Sequence, residues 1–318
     1  MGPIKRNKLG RTGVMSPLYY IFYTHDIDKT YLEHYFSGDK WHKFMKLHGD
    51  SGVRSDRFSI KDSIFQKMPI PIPLDKEQIK LGNFFNVLDK TVALHQRKLD
   101  LLKLLKTGFM QIMFPQKGEE KPLLRFANFN EKWEQRKLGD EFKFFSGLTY
   151  SPNDICESGT LVLRSSNVQN GEIVNADNVY VEKTAVNSKN VEIGDIIVVV
   201  RNGSRSLIGK HAQIKKEMPH TVIGAFMTGV TYKIPKFGNS LLGTTTFQKE
   251  IAKNLGATIN QITTGMFKKM NFNFPLSEAE QIKVGDFFDV LNNTITLHQR
   301  RLDKLNLLKK SYLQKMFI

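Results

Sequence analysis

Along two stretches of this 318-residue chain, mostly apolar positions recur at alternating spacings of four and three, with a histidine and a lysine in each. In residues 77–114 the positions are Leu81, Phe85, Leu88, Val92, His95, Leu99, Leu102, Lys106, Phe109 and Met113. In residues 280–317 they are Val284, Phe288, Leu291, Ile295, His298, Leu302, Leu305, Lys309, Tyr312 and Met316. Such alternation marks the seam of a coiled coil, and no proline interrupts either stretch. Each therefore predicts one unbroken helix of roughly 37 residues, or about 55 Å at 1.5 Å per residue.

The two stretches are copies of one another. EQIKLGNFFNVLDKTVALHQRKLDLLKLLKTGFMQIMF and EQIKVGDFFDVLNNTITLHQRRLDKLNLLKKSYLQKMF match at 23 of 38 positions at a constant offset of 203. Shared composition does not produce that many ungapped identities. With one gap the likeness extends upstream: Phe65-Gln66-Lys67-Met68 resembles Phe267-Lys268-Lys269-Met270, and Ile72-Pro73-Leu74 resembles Phe274-Pro275-Leu276. One such helix cannot bury its seam alone, whereas two in one chain can bury theirs together. The long segment between them permits an antiparallel pairing. His95 and His298 fall at equivalent seam positions, within Leu-His-Gln-Arg. Neither has an acidic or cysteine neighbour at ligand spacing, so the pair reads as a polar register-setting layer rather than a metal site.

The rest of the pattern is shorter in period. Leu161-Val162-Leu163, Val179-Tyr180-Val181, Ile196–Val200 and Thr228–Ile234 read as strands, Asn170-Gly171 and Asn202-Gly203 as turns, and Thr246–Leu255 as a short helix. Residues 133–276 thus form an α+β domain, and the polar, proline-broken residues 115–132 a connector. Residues 1–74 match only the second half of that domain. Pro17–Tyr23 corresponds to the Thr228–Ile234 strand, and Tyr31–His48 to the helix near 246–255.

Charge narrows the class of partner. Lys and Arg number 47 against 31 Asp and Glu, a formal net charge of +16, on a chain that is 40% hydrophobic and hence foldable. A polyanion is the implied partner. A membrane is the weaker candidate, because the most apolar run, residues 193–200, is far shorter than the roughly 20 residues that span a bilayer. Nothing apolar follows the basic start Met1-Gly2-Pro3-Ile4-Lys5-Arg6, so no signal peptide is read, and Pro3 argues against lipidation at Gly2. The lone Cys156 excludes an intrachain disulfide and suits the cytoplasm.

Several segments, in this order, resemble one family. Trp133-Glu134-Gln135-Arg136-Lys137-Leu138-Gly139 resembles the opening of a target-recognition domain in the specificity subunits of Type I restriction-modification systems. Leu163-Arg164-Ser165-Ser166-Asn167-Val168-Gln169-Asn170-Gly171 resembles an early segment of such domains, and Gly256-Ala257-Thr258-Ile259-Asn260-Gln261-Ile262-Thr263 a polar segment near their end. The Glu-Gln-Ile-Lys helices resemble the family's two spacer helices. The resemblance implies an α+β fold with one intact and one partial target-recognition domain, separated by two long antiparallel coiled-coil helices. In these terms residues 1–74 are a partial first recognition domain, 75–114 the central spacer, 115–132 a connector, 133–276 the second recognition domain and 277–318 the C-terminal spacer. It also implies double-stranded DNA with a bipartite target as ligand. Methyltransferase subunits carrying S-adenosylmethionine, and restriction subunits, are the implied partners, with no cofactor and no catalysis on this chain. The competing readings are a self-associating DNA-binding protein with a symmetric site, and a metal-dependent nuclease. Against the enzyme, the chain has no phosphate-binding loop, no Gly-x-Gly-x-x-Gly and no convincing acidic metal cluster.

DNA contact calls for cations at phosphates and for Arg, Asn, Gln, Ser or Thr at base edges. Arg201, Asn202, Ser204 and Arg205, with Lys210 beyond, combine both immediately after a predicted strand. Asn260, Gln261 and Thr263, with Lys268 nearby, form a second candidate, and Arg164, Ser165 and Asn167 a third. In the N-terminal region Arg54 stands where the Asn260 segment stands later.

Overall fold

A computed structural model describes residues 2–10, 12–16, 19–51, 58–256 and 260–317. The chain divides into two compact units: residues 1–100 with 297–318, and residues 101–296. Both long helices cross from one unit to the other.

In the first unit, α1 (Lys29–Ser37) and α2 (Lys40–His48) are followed by a two-residue ladder of β1 (Asp50–Ser51) and β2 (Phe58–Ser59), then by α3 (Asp62–Phe65) and the first part of α4 (Asp75–Ile112). Asp28 opens α1 by accepting from the backbone N–H groups of Thr30 and Tyr31 at 2.9 and 2.8 Å, which satisfies donors that a helix start leaves free. The strand expected near residues 17–23 is absent among the described residues of that stretch. Its counterpart in the second unit runs between two neighbouring strands, and among the described residues of the first unit no such neighbours complete a ladder.

The second unit opens with β3 (Glu134–Lys137), α5 (Leu138–Glu141), β4 (Lys143–Ser146), β5 (Ile155–Cys156) and β6 (Thr160–Leu163). It continues through β7 (Val168–Gln169), β8 (Glu172–Ile173), β9 (Val179–Val181), β10 (Ile196–Val199), β11 (His211–Gln213), β12 (Thr221–Ile223) and β13 (Met227–Thr231). The helices α6 (Pro235–Leu242), α7 (Thr245–Asn254) and α8 (Thr264–Lys268) precede β14 (Asn271–Phe274) and α9 (Glu278–Met316). One antiparallel sheet has the order β11-β10-β13-β4. A second runs β12-β6-β9-β5, with β12 and β6 parallel. β10 is covered on both faces: Ile196 and Val198 enter a core with α6, α7 and α9, while Ile197 and Val199 enter another with β6, β11 and β12. Two-sided burial explains why this strand reads as an uninterrupted apolar run. Asn170 and Gly171, both at positive φ, make the tight turn between β7 and β8. Asn202-Gly203 instead makes a side-chain turn, in which Asn202 Oδ1 accepts the Ser204 N–H at 2.9 Å. The helix expected at 246–255 is α7. The strand expected to reach Ile234 ends at Thr231, because Pro235 begins α6, which the apolar pattern did not separate.

The seam positions of α4 and α9 are all at least partly withdrawn from solvent. Within the first unit, Asp89 pairs with Lys309 at 2.5 Å, and the His95 and His298 rings lie 5.9 Å apart, so the two helix segments run in opposite directions there. Within the second unit, Phe109 meets Phe287 edge to face at 5.0 Å. The repeat also keeps its local chemistry. Gln78 Nε2 donates to the Pro73 carbonyl at 2.8 Å, and Gln281 Nε2 to that of Pro275 at 2.8 Å. Gly285 is required by packing: a Cβ there would lie 2.6 Å from the Phe237 backbone nitrogen at the start of α6. Its counterpart Gly82 faces Thr30 and Tyr31 at the start of α1. Tyr31 therefore takes the place of Phe237, and the stretch 31–48 answers to both α6 and α7, not to one helix.

Candidate nucleic-acid interface

The loop joining β10 to β11 is anchored from below and polar on top. Ile208, 4% exposed, fixes it to the core, and Gly209 at φ +84° closes it with its N–H donating to the Val199 carbonyl at 2.9 Å. Just beyond β10, the Val200 carbonyl accepts the Ile262 N–H at 2.9 Å, and Arg201 bridges Gln261 in antiparallel fashion. Ile262 is buried, so the polar residues beside it are held at the surface by a hydrophobic peg.

Three sequence segments meet here. Asn202 Nδ2 donates to Ser165 Oγ at 3.0 Å, and Asn260 Nδ2 donates to the Gly203 carbonyl at 3.1 Å. Arg201, Ser204, Arg205 and Lys210 are exposed. The Arg201 guanidinium lies over the Phe226 ring at 4.9 Å, and the Arg205 guanidinium reaches the Leu255 carbonyl at 3.4 Å. Thr263 caps α8, accepting the Met266 N–H at 3.2 Å, and Lys268 on that helix lies over the Phe144 ring at 5.5 Å. Arg201, Arg205, Lys210 and Lys268 have no carboxylate partner among the described residues, which leaves four cations uncompensated.

Two residues of the third segment are placed for support. Asn167 is fully buried. Its Nδ2 donates to the Val174 and Ala176 carbonyls and to Asn178 Oδ1 at 3.2, 2.9 and 3.0 Å, while its Oδ1 accepts the Arg164 N–H at 2.9 Å. The Arg164 guanidinium is taken by Asp177, through its carboxylate at 2.8 Å and its backbone carbonyl. These two hold the loop that presents Ser165; Asn167 offers no atom to a ligand. Arg54 lies outside the described residues. Phe226, 53% exposed between the buried strands β12 and β13, is the residue that reading by type missed.

The Trp133–Gly139 segment is anchored in the core by Trp133 and Leu138, with Glu134, Gln135 and Lys137 exposed. Glu280, at the start of α9, is buried and accepts from Arg125 Nε and a terminal guanidinium nitrogen at 2.6 and 2.7 Å, and from Trp133 Nε1 at 3.3 Å. Arg136 donates to Glu141 at 2.8 Å and to Glu134 at 2.9 Å, contacts that raise its pKa. The seam histidines present buried Nδ1 atoms without a hydrogen-bond partner among the described residues, and burial, reinforced by Lys98, Arg301 and His95, lowers the pKa of His298. Burial also pushes His211 down to about 4, helped by the nearby Lys106.

A braced α+β body with convergent polar loops and uncompensated cations has the character of a polyanion-binding module. The comparisons make the class specific. The model of the Type I restriction modification DNA specificity domain matches residues 130–307, more than half of the chain, and the chain belongs to that family. It is 23% identical over 267 residues to the Type I restriction enzyme MjaVIII specificity subunit of Methanocaldococcus jannaschii, a match covering 79% of this chain and 61% of that protein. It is 25% identical over 194 residues to the StySPI specificity subunit of Salmonella potsdam, covering 58% of this chain and 41% of that one. The chain thus spans less than two thirds of the length of these relatives. In fold it is similar to the S subunit of a Type I restriction-modification system from M. genitalium, with a TM-score of 0.63 at 14% identity, covering 96% of this chain and 74% of that one. It is also similar to a chain from a study of complex assembly and conformational transition of the type I R-M system, with a TM-score of 0.57 at 15% identity, covering 92% and 71%. The relatives are specificity subunits by name, in agreement with a non-catalytic reading. Among the described residues, no helix is long and apolar enough to cross a membrane.

Proposed function

We propose that this chain reads double-stranded DNA as the specificity subunit of a Type I restriction-modification complex, without catalysing a reaction itself. Residues 133–276 serve as a recognition domain for one half of a bipartite target. Residues 1–74 serve as a smaller recognition element, and the copies at 75–114 and 277–318 as an antiparallel coiled-coil spacer between the half-sites. Methyltransferase subunits dock on this helical framework and bring S-adenosylmethionine, and restriction subunits cut unmodified DNA, all within the cytoplasm.

The observation that carries this reading is the convergence of Ser165, Asn202 and Asn260 beside the uncompensated Arg201. Amides and a guanidinium on a rigid loop are the groups that match base edges, and Lys210 and Lys268 suit phosphates. The test is selection of duplexes from a randomised library by the full chain, followed by titration against salt. A preferred sequence should emerge. If about six phosphates are neutralised, affinity should fall roughly a thousandfold between about 50 and 200 mM salt. Binding without sequence preference, or without salt dependence, overturns the reading.

A further inference from the structure

Phe226 is an exposed aromatic ring on a rigid mount. It lies in the turn between β12 and β13, flanked by Ile223 and Met227, which are 0% and 2% exposed. Its carbonyl accepts two backbone N–H groups, from Val200 at 3.0 Å and Arg201 at 3.2 Å. The turn itself closes through the Met227 N–H and the Gly224 carbonyl at 2.9 Å. Gly224 is pressed against Gly147 so closely that a Cβ on Gly147 would lie 2.0 Å from the Gly224 oxygen. The turn that carries the ring is thus tied by backbone hydrogen bonds and closely packed at Gly224.

The ring nevertheless faces water, where exposed apolar area is unfavourable. What it supports is the Arg201 guanidinium, 4.9 Å from its centroid. A guanidinium that stacks on an aromatic ring meets it with its flat face. Its five N–H donors lie in the guanidinium plane and stay free at the edge, where a bidentate contact to a guanine edge would form. An unsupported arginine gives up rotamer freedom when it is fixed. Stacking removes part of that cost before DNA arrives.

Resting on the DNA-reading assignment above, we propose that Phe226 is a positioning residue for base discrimination, acting by fixing the Arg201 guanidinium edge-outward among Ser165, Asn202 and Asn260. It acts on specificity and not on phosphate affinity. The ring is the active feature, so any flat aromatic face should serve and a branched aliphatic side chain should not.

The test uses the full chain and the duplex selected from the randomised library, with every single-base variant of that duplex as competitor. Wild type, Arg201→Ala, Phe226→Leu, Phe226→Tyr and the Arg201→Ala/Phe226→Leu double variant are compared, each first shown to melt like wild type. Arg201→Ala should lose about tenfold or more of discrimination at one base pair, the size of a lost bidentate contact. Phe226→Leu should lose about three- to tenfold at that same base pair, and the double variant should lose no more than Arg201→Ala, as coupled neighbours do. Phe226→Tyr should keep the discrimination, and the salt slope should be unchanged throughout. Full discrimination by Phe226→Leu beside a defective Arg201→Ala overturns the role of Phe226 and leaves DNA reading intact. Uniform weakening on all duplexes by Phe226→Leu overturns it equally. Absence of any preferred sequence for wild type overturns the DNA-reading assignment itself and this inference with it.

Discussion

Phe85 stacks on Phe317 with ring centroids 5.4 Å apart, which joins the start of one repeat copy to the end of the other within the first unit. The same two repeat positions, Phe288 and Phe114, meet at 5.8 Å within the second. Phe84 with Tyr312 and Phe287 with Phe109 duplicate the next contact, at 5.3 and 5.0 Å. Each unit therefore takes part of its core from both copies, and neither copy is spare.

Replacing Phe317 with Ala should destabilise the first unit by about 3–5 kcal/mol, the usual cost of removing a fully buried ring. Phe85→Ala should do the same, and the double variant should cost less than the sum because the rings touch. Leu302→Asp, at a position 3% exposed, buries an uncompensated charge and should abolish the cooperative melt. Thermal or urea unfolding reads all four variants.

Arg125→Ala should cost about 3–5 kcal/mol, because it leaves the Glu280 carboxylate buried without its ion partner. Arg125→Ala combined with Glu280→Gln should recover part of the loss. Glu77, the same repeat position in the other copy, is exposed, so Glu77→Gln should change the midpoint little. Comparable losses for Glu77→Gln and Arg125→Ala would show that the repeat, not burial, sets the cost.

Acid should weaken the second unit through His211. Its Nδ1 and Nε2 each lie 3.1 Å from a backbone carbonyl, those of Gly209 and Asn239, yet burial and Lys106 depress its pKa to about 4. The unfolded imidazole titrates at about 6.5, so between these values the unfolded state binds more protons and stability falls as pH falls. The full loss approaches roughly 3 kcal/mol, is absent above pH ~7 and is complete below pH ~4. Melts of wild type and His211→Gln across pH 7 to 4 check this: the variant should show the shallower decline.

The helices were legible because a four-three period and a duplicated sequence are local signals that tertiary packing does not override. β10 was legible for a similar reason, since two covered faces leave no polar position in its run. What periodicity could not reach was closure across long separations. Ser165, Asn202 and Asn260 meet only because the sheets bring together the ends of distant strands. Residue type also cannot say whether a polar group faces water or a carbonyl, which is why Asn167 and Arg164 read like Asn202 and Arg201 in the sequence. Phe226 was invisible because an aromatic residue next to two apolar strands reads as core.

This division gives the sharpest contrast among the polar residues. Asn167→Ala removes the donor to two carbonyls and the acceptor for the Arg164 N–H in a site closed to water. Buried polar groups left unpaired cost about 1–3 kcal/mol each, so the melt should drop by several degrees and DNA affinity should fall only as the fold loosens. Arg205→Ala removes an exposed side chain whose one hydrogen bond among the described residues is a 3.4 Å approach to the Leu255 carbonyl. Its melt should match wild type, while the preferred base at one position relaxes by about 1–3 kcal/mol. Lys268→Ala should likewise melt normally, but weaken every duplex alike and make the log–log salt slope shallower by about 0.9, as loss of one phosphate contact does. Melts, library selection and salt titration on the three variants separate support, reading and phosphate contact. If Asn167→Ala kept the wild-type melt and changed the selected sequence, or Arg205→Ala unfolded the domain, these roles would have to be exchanged.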